Sequence, residues 1–193
     1  MSRPVRRSHG SGRWARGELA GVGPGTVVED DVLIFRPESV YFGDHVYVGH
    51  LAILKAYPEG LLVIGDGCWL GEQTYINSAG AVTLGRDVGV GVGVKIISSV
   101  HLEEGRQVPI LHSGLRLAPV VIGDYCDLGV GAIILPGVTL GRGVQVGAGA
   151  VVSHDLADYA VAAGVPARVI RTRSADGDRT GAPGDGGDHD QEG

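Results

Sequence analysis

The chain has 193 residues, a formal net charge of −6, 34 Gly, and only two Phe and one Met. That length allows one domain, and the absence of any run of 18 apolar residues excludes a transmembrane helix. The acidic balance argues against nucleic acid as a partner, and the glycine content favours sharp corners over long helices.

Arg3, Arg6, Arg7, Arg13 and Arg16 crowd the first 19 residues with no apolar run among them. This is not a secretory signal. It predicts a flexible basic arm over 1–19 and a cytoplasmic location. From residue 20 the apolar residues fall into triplets with a step of six: Val22, Val28, Ile34; Phe42, Val48, Leu54; Ile64, Leu70, Ile76; Leu84, Val90, Ile96. A helix needs apolar residues about every 3.6 positions and a flat strand every second one, so a period of six fits neither. It marks a solenoid whose short strands wrap a triangular prism, three hexads to a coil. Four residues after these aliphatics stands a second inner series, including Cys68, Thr74, Val88, Val94 and Val100.

Three breaks in phase stand out. Leu54 to Ile64 has four extra residues, Ile76 to Leu84 two, and Ile96 to Ile122 twenty. The last gap predicts an extruded loop over 101–119, and solenoids carry insertions where they bind. From Ile122 the hexads run without interruption through Leu128, Ile134, Leu140, Val146 and Val152, with Cys126, Ala132, Val138, Val144, Ala150 and Leu156 in the second series. The expectation is an all-β parallel β-helix of about six coils over 20–171, and six coils stacked roughly 4.8 Å apart make a prism about 29 Å long. Residues 172–193 are rich in Gly and Asp and poor in apolar groups, which predicts a disordered acidic tail. Cys68 and Cys126 share the inner phase and are expected to be buried free thiols, and two lone cysteines have no metal-site spacing.

Residues 120–171, VVIGDYCDLGVGAIILPGVTLGRGVQVGAGAVVSHDLADYAVAAGVPARVIR, resemble the hexapeptide-repeat acyltransferases. The runs ILPGVTLG, GAGAVV and AAGVPARVI carry the likeness to the branch that acetylates galactosides, maltose and nodulation sugars. The resemblance implies a left-handed coil, a homotrimer with active sites between neighbouring prisms, and acetyl-CoA as acyl donor with no metal. His101 then matches the general base at the loop mouth. Imidazole suits the task because it titrates near neutrality and can take the proton of a sugar hydroxyl as it attacks a thioester. The positions matching coenzyme contacts are Val130, Ala148, Ser153, His154, Arg168 and Arg171, the arginines being suited to phosphate. A backbone N–H near Val130 or Gly131 matches an oxyanion donor. The match is incomplete. Leu102 stands where relatives often have Pro, Cys126-Asp127-Leu128-Gly129 where they have Trp-Ile-Gly, and His154 where they have Lys. Asn77 is not assigned. Glu103, Glu104 and His112 on the loop read as solvated or incidental groups.

These residues imply a sugar or glycoside O-acetyltransferase acting by direct transfer on a small-molecule acceptor. The alternatives are N-acetylation of an amino sugar or nucleotide-amino sugar, a non-catalytic scaffold, and a zinc enzyme of the γ-carbonic anhydrase type. The last would use His45 and His50, which are five apart but out of hexad phase, with only His9 upstream.

Overall fold

A computed structural model describes residues 8–175. Arg3, Arg6, Arg7 and the tail beyond residue 175 lie outside the described residues. Three parallel sheets form the faces of the prism, each taking one strand per coil. Face one stacks Gly21–Val22, Val40–Phe42, Leu62–Ile64, Val82–Leu84, Val120–Ile122 and Thr139–Leu140. Face two stacks Val27–Val28, Tyr47–Val48, Trp69–Leu70, Gly89–Val90, Asp127–Leu128 and Gln145–Val146, then a closing hairpin of Ala160–Gly164 and Ala167–Thr172. Face three stacks Leu33–Phe35, Ile53–Lys55, Tyr75–Asn77, Lys95–Ile97, Ile133–Ile134 and Val151–Val152. The pattern is six full coils in the expected register. No helix among the described residues is long and apolar enough to cross a membrane.

The hexad residues point inward because each coil turns the chain through three corners and brings the sixth residue back to an equivalent place. Phe42, Val48 and Leu54 are buried, as are the triplets from Ile64, Leu84 and Ile122 onward. Each such side chain stabilises by roughly 1.5–3 kcal/mol when fully buried. Two corners are made by one residue per coil with φ in the left-handed region. Between faces two and three these are Asp31, Leu51, Gln73, Gly93, Gly131 and Gly149. Glycine carries the upper half of that column at no steric cost. It is also needed beside it, at Gly129, where an added Cβ would sit 2.5 Å from the Ala148 nitrogen of the next coil.

The prism is closed at both ends. At its start Val22 and Val28 are only half-buried, and Trp14 and Leu19 pack against the core. The Trp14 Nε1–H donates to the Val32 carbonyl at 3.0 Å, and Gly12 O accepts from the Ile34 N–H at 2.8 Å. Residues 12–19 therefore lie on the first coil instead of hanging free of it, because the open end of a solenoid needs a cover. At the far end Ala160, Ala162 and Ala167 close the core with small side chains. Thr172 pairs with Ala160 and the Arg173 N–H donates to Tyr159 O, so the hairpin continues two residues past the expected end of the domain.

One inner position differs from the sequence pattern. Val100 is 41% exposed because the chain has already left the prism there. Ser98 takes the corner, and Ser99–His101 pairs antiparallel with Leu115–Leu117. The extrusion is thus a hairpin based at residues 99 and 117, two residues earlier than the loop read from the sequence. The two cysteines are buried free thiols, with Sγ of Cys68 donating to Gly85 O and that of Cys126 to Gly141 O.

Ile134→Asp places a carboxylate in this dry interior, at a cost of several kcal/mol against a typical domain stability of about 5–15 kcal/mol. The variant is expected to be unfolded by circular dichroism at room temperature, and a parental melt would show that Ile134 does not face the core. Desolvation on burial pushes both thiols from the usual 9.0 up to about 11. The native state then keeps two protons that the unfolded chain releases first, so stability is full below pH 9 and falls as pH rises from 9 to about 11. Stability measured across that window should fall, and a thiol reagent at about pH 8 should label neither cysteine until the protein unfolds.

Candidate active site

These three breaks open at one corner, between faces three and one, as does a shorter two-residue break between Ile34 and Phe42 that holds the turn Pro37–Ser39. The extra residues are 55–61 in the second coil, 77–81 in the third and the hairpin in the fourth. Insertions accumulate there without disturbing the core because buried hydroxyls secure the corner backbone. Ser78 Oγ donates to Gly60 O at 2.6 Å, Ser98 Oγ donates to Asn77 O at 2.8 Å, and the Gly80 N–H donates to Ser98 Oγ at 2.9 Å. The hairpin ends are tied together, with the Ala118 N–H donating to Ser98 O at 2.9 Å.

The hairpin register fixes where His101 points. His101 is directly opposite Leu115, and Ser99 is opposite Leu117. Residues directly opposite across an antiparallel pair project to the same side of the ribbon. Leu115 and Leu117 line a cavity of about 280 Å³ together with Tyr57, Pro58, Glu59 and Ala79. His101 therefore stands on the cavity side of the ribbon, exposed and in none of the ion pairs among the described residues. The Leu102 N–H donates to Gly114 O, and Glu104 Oε1 accepts from the Gly114 N–H at 3.0 Å, so Glu104 holds the ribbon together. Glu103 and His112 are exposed further out, His112 in the short turn Ile110–His112. Below the hairpin, Asn77 sits in register between Lys55 and Ile97, and its Oδ1 accepts from the Ala79 N–H at 3.1 Å.

The six matched coenzyme positions divide between two corners. Val130 is 58% exposed and stacks with Ala148 at the corner of faces two and three, where the Gly149 N–H donates to Val130 O. A Cβ at Gly93, Gly131 or Gly149 would meet nothing within 4 Å, so this corner presents a bare strip of backbone. Arg168 lies opposite Ala163 just after the closing turn at the same corner, its Nη1 donating to Ala167 O. Ser153 and His154 instead follow the last strand of face three, at the corner that carries His101, and both are exposed. Arg171 lies three residues along the closing strand, opposite Val161, away from either strip.

Face two holds a polar cavity of about 340 Å³ lined by Asp87, Gly89, Tyr125, Cys126, Asp127, Gln145 and Arg173. Asp127 thus fills the place where the relatives' tryptophan was expected. Trp69 occupies the same outward column two coils lower and meets Tyr47 edge-on, at 5.8 Å between ring centroids and 62° between planes. At the neighbouring corner the Arg86 N–H and guanidinium donate to Asp124, which holds that carboxyl below its usual range. His45 and His50 lie at different corners of one coil, and His50 is beside Asp30 O and Glu29. No group of three or more His, Cys, Asp or Glu able to hold a metal occurs among the described residues.

A prism of stacked hexad coils is the fold of a class of acyl-transferring enzymes, to which the comparisons assign this chain. Residues 119–154 match the family model for the hexapeptide repeat of succinyl-transferase. A putative lipopolysaccharide biosynthesis O-acetyl transferase of Escherichia coli K12 is 31% identical over 140 residues, covering 69% of this chain and 71% of that protein. The chain belongs to the hexapeptide-repeat acyltransferase family. A probable acetyltransferase of Mycobacterium tuberculosis is 34% identical over 131 residues, 68% of this chain but only 43% of that longer protein. In fold the chain is similar to the Bacillus cereus N-acyltransferase AntD, solved with dTDP-4-amino-4,6-dideoxyglucose and coenzyme A, with a TM-score of 0.74 at 21% identity over 83% of this chain and 88% of that one.

Because the hairpin is tied at its base and buries nothing of the core, replacing residues 99–117 with two glycines should leave the prism intact. The melting temperature is expected within about 5 °C of the parent, with acyl transfer lost. Loss of folding would show instead that the hairpin is part of the prism.

Proposed function

We propose that the protein transfers an acetyl group from acetyl-CoA to a hydroxyl of a sugar or glycoside, with His101 as general base. The observation that carries this reading is the ribbon register, which sets His101 on the same side of the hairpin as the cavity lined by Leu115 and Leu117, at the corner where every insertion gathers. The acceptor hydroxyl attacks the thioester carbonyl as the imidazole takes its proton. A C–O bond forms, the C–S bond breaks, and the proton passes to the leaving thiolate, so no acyl-enzyme is needed.

The donor fits the two-face strip. A pantetheine arm is an extended chain of amides, and the bare backbone beside Val130, Gly131 and Ala148 offers groups for it to lie against. Arg168, at the end of that strip, meets a phosphate. One prism cannot bring this strip to His101, because the two lie at different corners. The division of the matched contacts between Val130, Ala148 and Arg168 on one corner and Ser153 and His154 on the other supports a ring of three copies, in which one prism's strip faces its neighbour's hairpin. A second reading is N-acylation of an amino sugar. Glu59 in the cavity favours it, since a carboxylate there pairs with an acceptor ammonium, and the likeness to AntD points the same way.

His101→Ala is expected to lower kcat on a hydroxyl acceptor by about 10²–10⁴ while leaving acetyl-CoA binding unchanged. Near-parental kcat would remove His101 from the mechanism. An amine acceptor would show a milder defect that shrinks at high pH, because the free amine needs no base. Arg168→Ala is expected to raise the KM for acetyl-CoA with a smaller change in kcat, as loss of uniform binding does. Sedimentation at three times the 19.9 kDa chain mass supports the shared site, and a monomer at micromolar concentration would sink it.

A further inference from the structure

The cavity beside His101 has a chemistry of its own. Tyr57, Pro58, Ala79, Leu115 and Leu117 make nearly all of its wall, and Glu59 is the one charged residue lining it. Both sides of this wall are insertions, the second-coil loop and the hairpin, which the prism does not need in order to fold. Leu115 and Leu117 are exposed, so the structure keeps two large apolar groups in water at this spot without burying them in any core. The nearby cation does not reverse the charge of the site. Lys55 Nζ is held 5.7 Å from the centre of the Tyr57 ring, and Arg116 projects from the opposite side of the ribbon.

We propose that this cavity is the acceptor subsite and that it selects a single uncharged sugar ring presenting an apolar face, such as a 6-deoxy sugar with its methyl group. This rests on the acyl-transfer reading above and adds the acceptor class to it. About 280 Å³ is at the small end for a ligand site, which suits contact with a single ring. The C–H face of the ring lies on Tyr57 and Pro58, and its methyl group meets Leu115 and Leu117. A ring seated against Leu115 has a hydroxyl beside His101, because the two residues are directly opposite on the ribbon. An acidic sugar is rejected twice, by the apolar wall that cannot solvate its charge and by Glu59.

The test uses methyl pyranosides in the gluco and galacto series, each as the 6-deoxy sugar, the parent alcohol and the uronate. Binding is followed by saturation-transfer NMR, and acetylation by release of free coenzyme A thiol. Within a series the 6-deoxy sugar should exceed the uronate in kcat/KM by at least roughly tenfold, the range that one apolar group in a fitted pocket gives. Its methyl protons should receive the strongest transfer. Tyr57→Ala should abolish the preference by raising the acceptor KM roughly tenfold, with the acetyl-CoA KM unchanged, and Tyr57→Phe should retain it. Uronates binding as well as 6-deoxy sugars, or a preference untouched by Tyr57→Ala, would overturn the proposal. If 6-deoxy sugars bind with the expected preference and no thiol is released from any acceptor, the acyl-transfer reading fails and the pocket assignment stands.

Discussion

The width of the prism governs everything else in this protein. Three sheets enclose a narrow interior with room for only a few side chains per coil, so each coil must return an apolar residue to the same column. The demand is strict because neighbouring coils touch through backbone. Gly71, Gly91 and Gly129 each stand where a side chain would strike the next coil. A chain under that constraint has little freedom on its faces, and its variety has to be spent at its corners.

The three corners are used differently. Between faces two and three the chain turns tightly in every coil, and the upper turns use glycine, leaving backbone uncovered. Between faces three and one the chain tolerates additions of two, four and twenty residues. The serine hydroxyls at 78 and 98 explain how, since they replace the backbone partners that an insertion removes. One corner therefore offers a plain strip for an extended ligand, and another offers built walls for a compact one. An enzyme that joins a long donor to a small acceptor needs both kinds of surface.

The surfaces belong to different edges of a single prism, so the proposed transfer needs a second copy to bring them together. The hairpin also carries exposed Leu102, Ile110 and Leu111 beyond the cavity, and the closing strand carries Val169 and Ile170. Apolar groups held out in water on both elements are what a neighbouring copy would cover.

The period of six was enough to determine the fold class, the six coils, the buried columns and the two free thiols. A six-residue step with glycine at the turns has no other economical packing, so local pattern and global structure coincide there. Motifs that keep their order in the chain also singled out His101 and the stretch around Val130 and Ala148 as candidates, and the structure sets them at different corners of the prism. Three things were settled only by the tertiary structure. Val100 left the core because Ser98 could take the corner, a choice between two small polar or apolar residues that periodicity does not make. The three phase breaks, scattered along 68 residues of sequence between Leu54 and Ile122, fell on one edge because each is an addition to the same turn of a different coil. Tyr57 and Leu115 became neighbours across a cavity for the same reason. Distance along the chain says nothing about such pairs, because in a solenoid it is the number of coils between two residues, and the corner each occupies, that decides whether they meet.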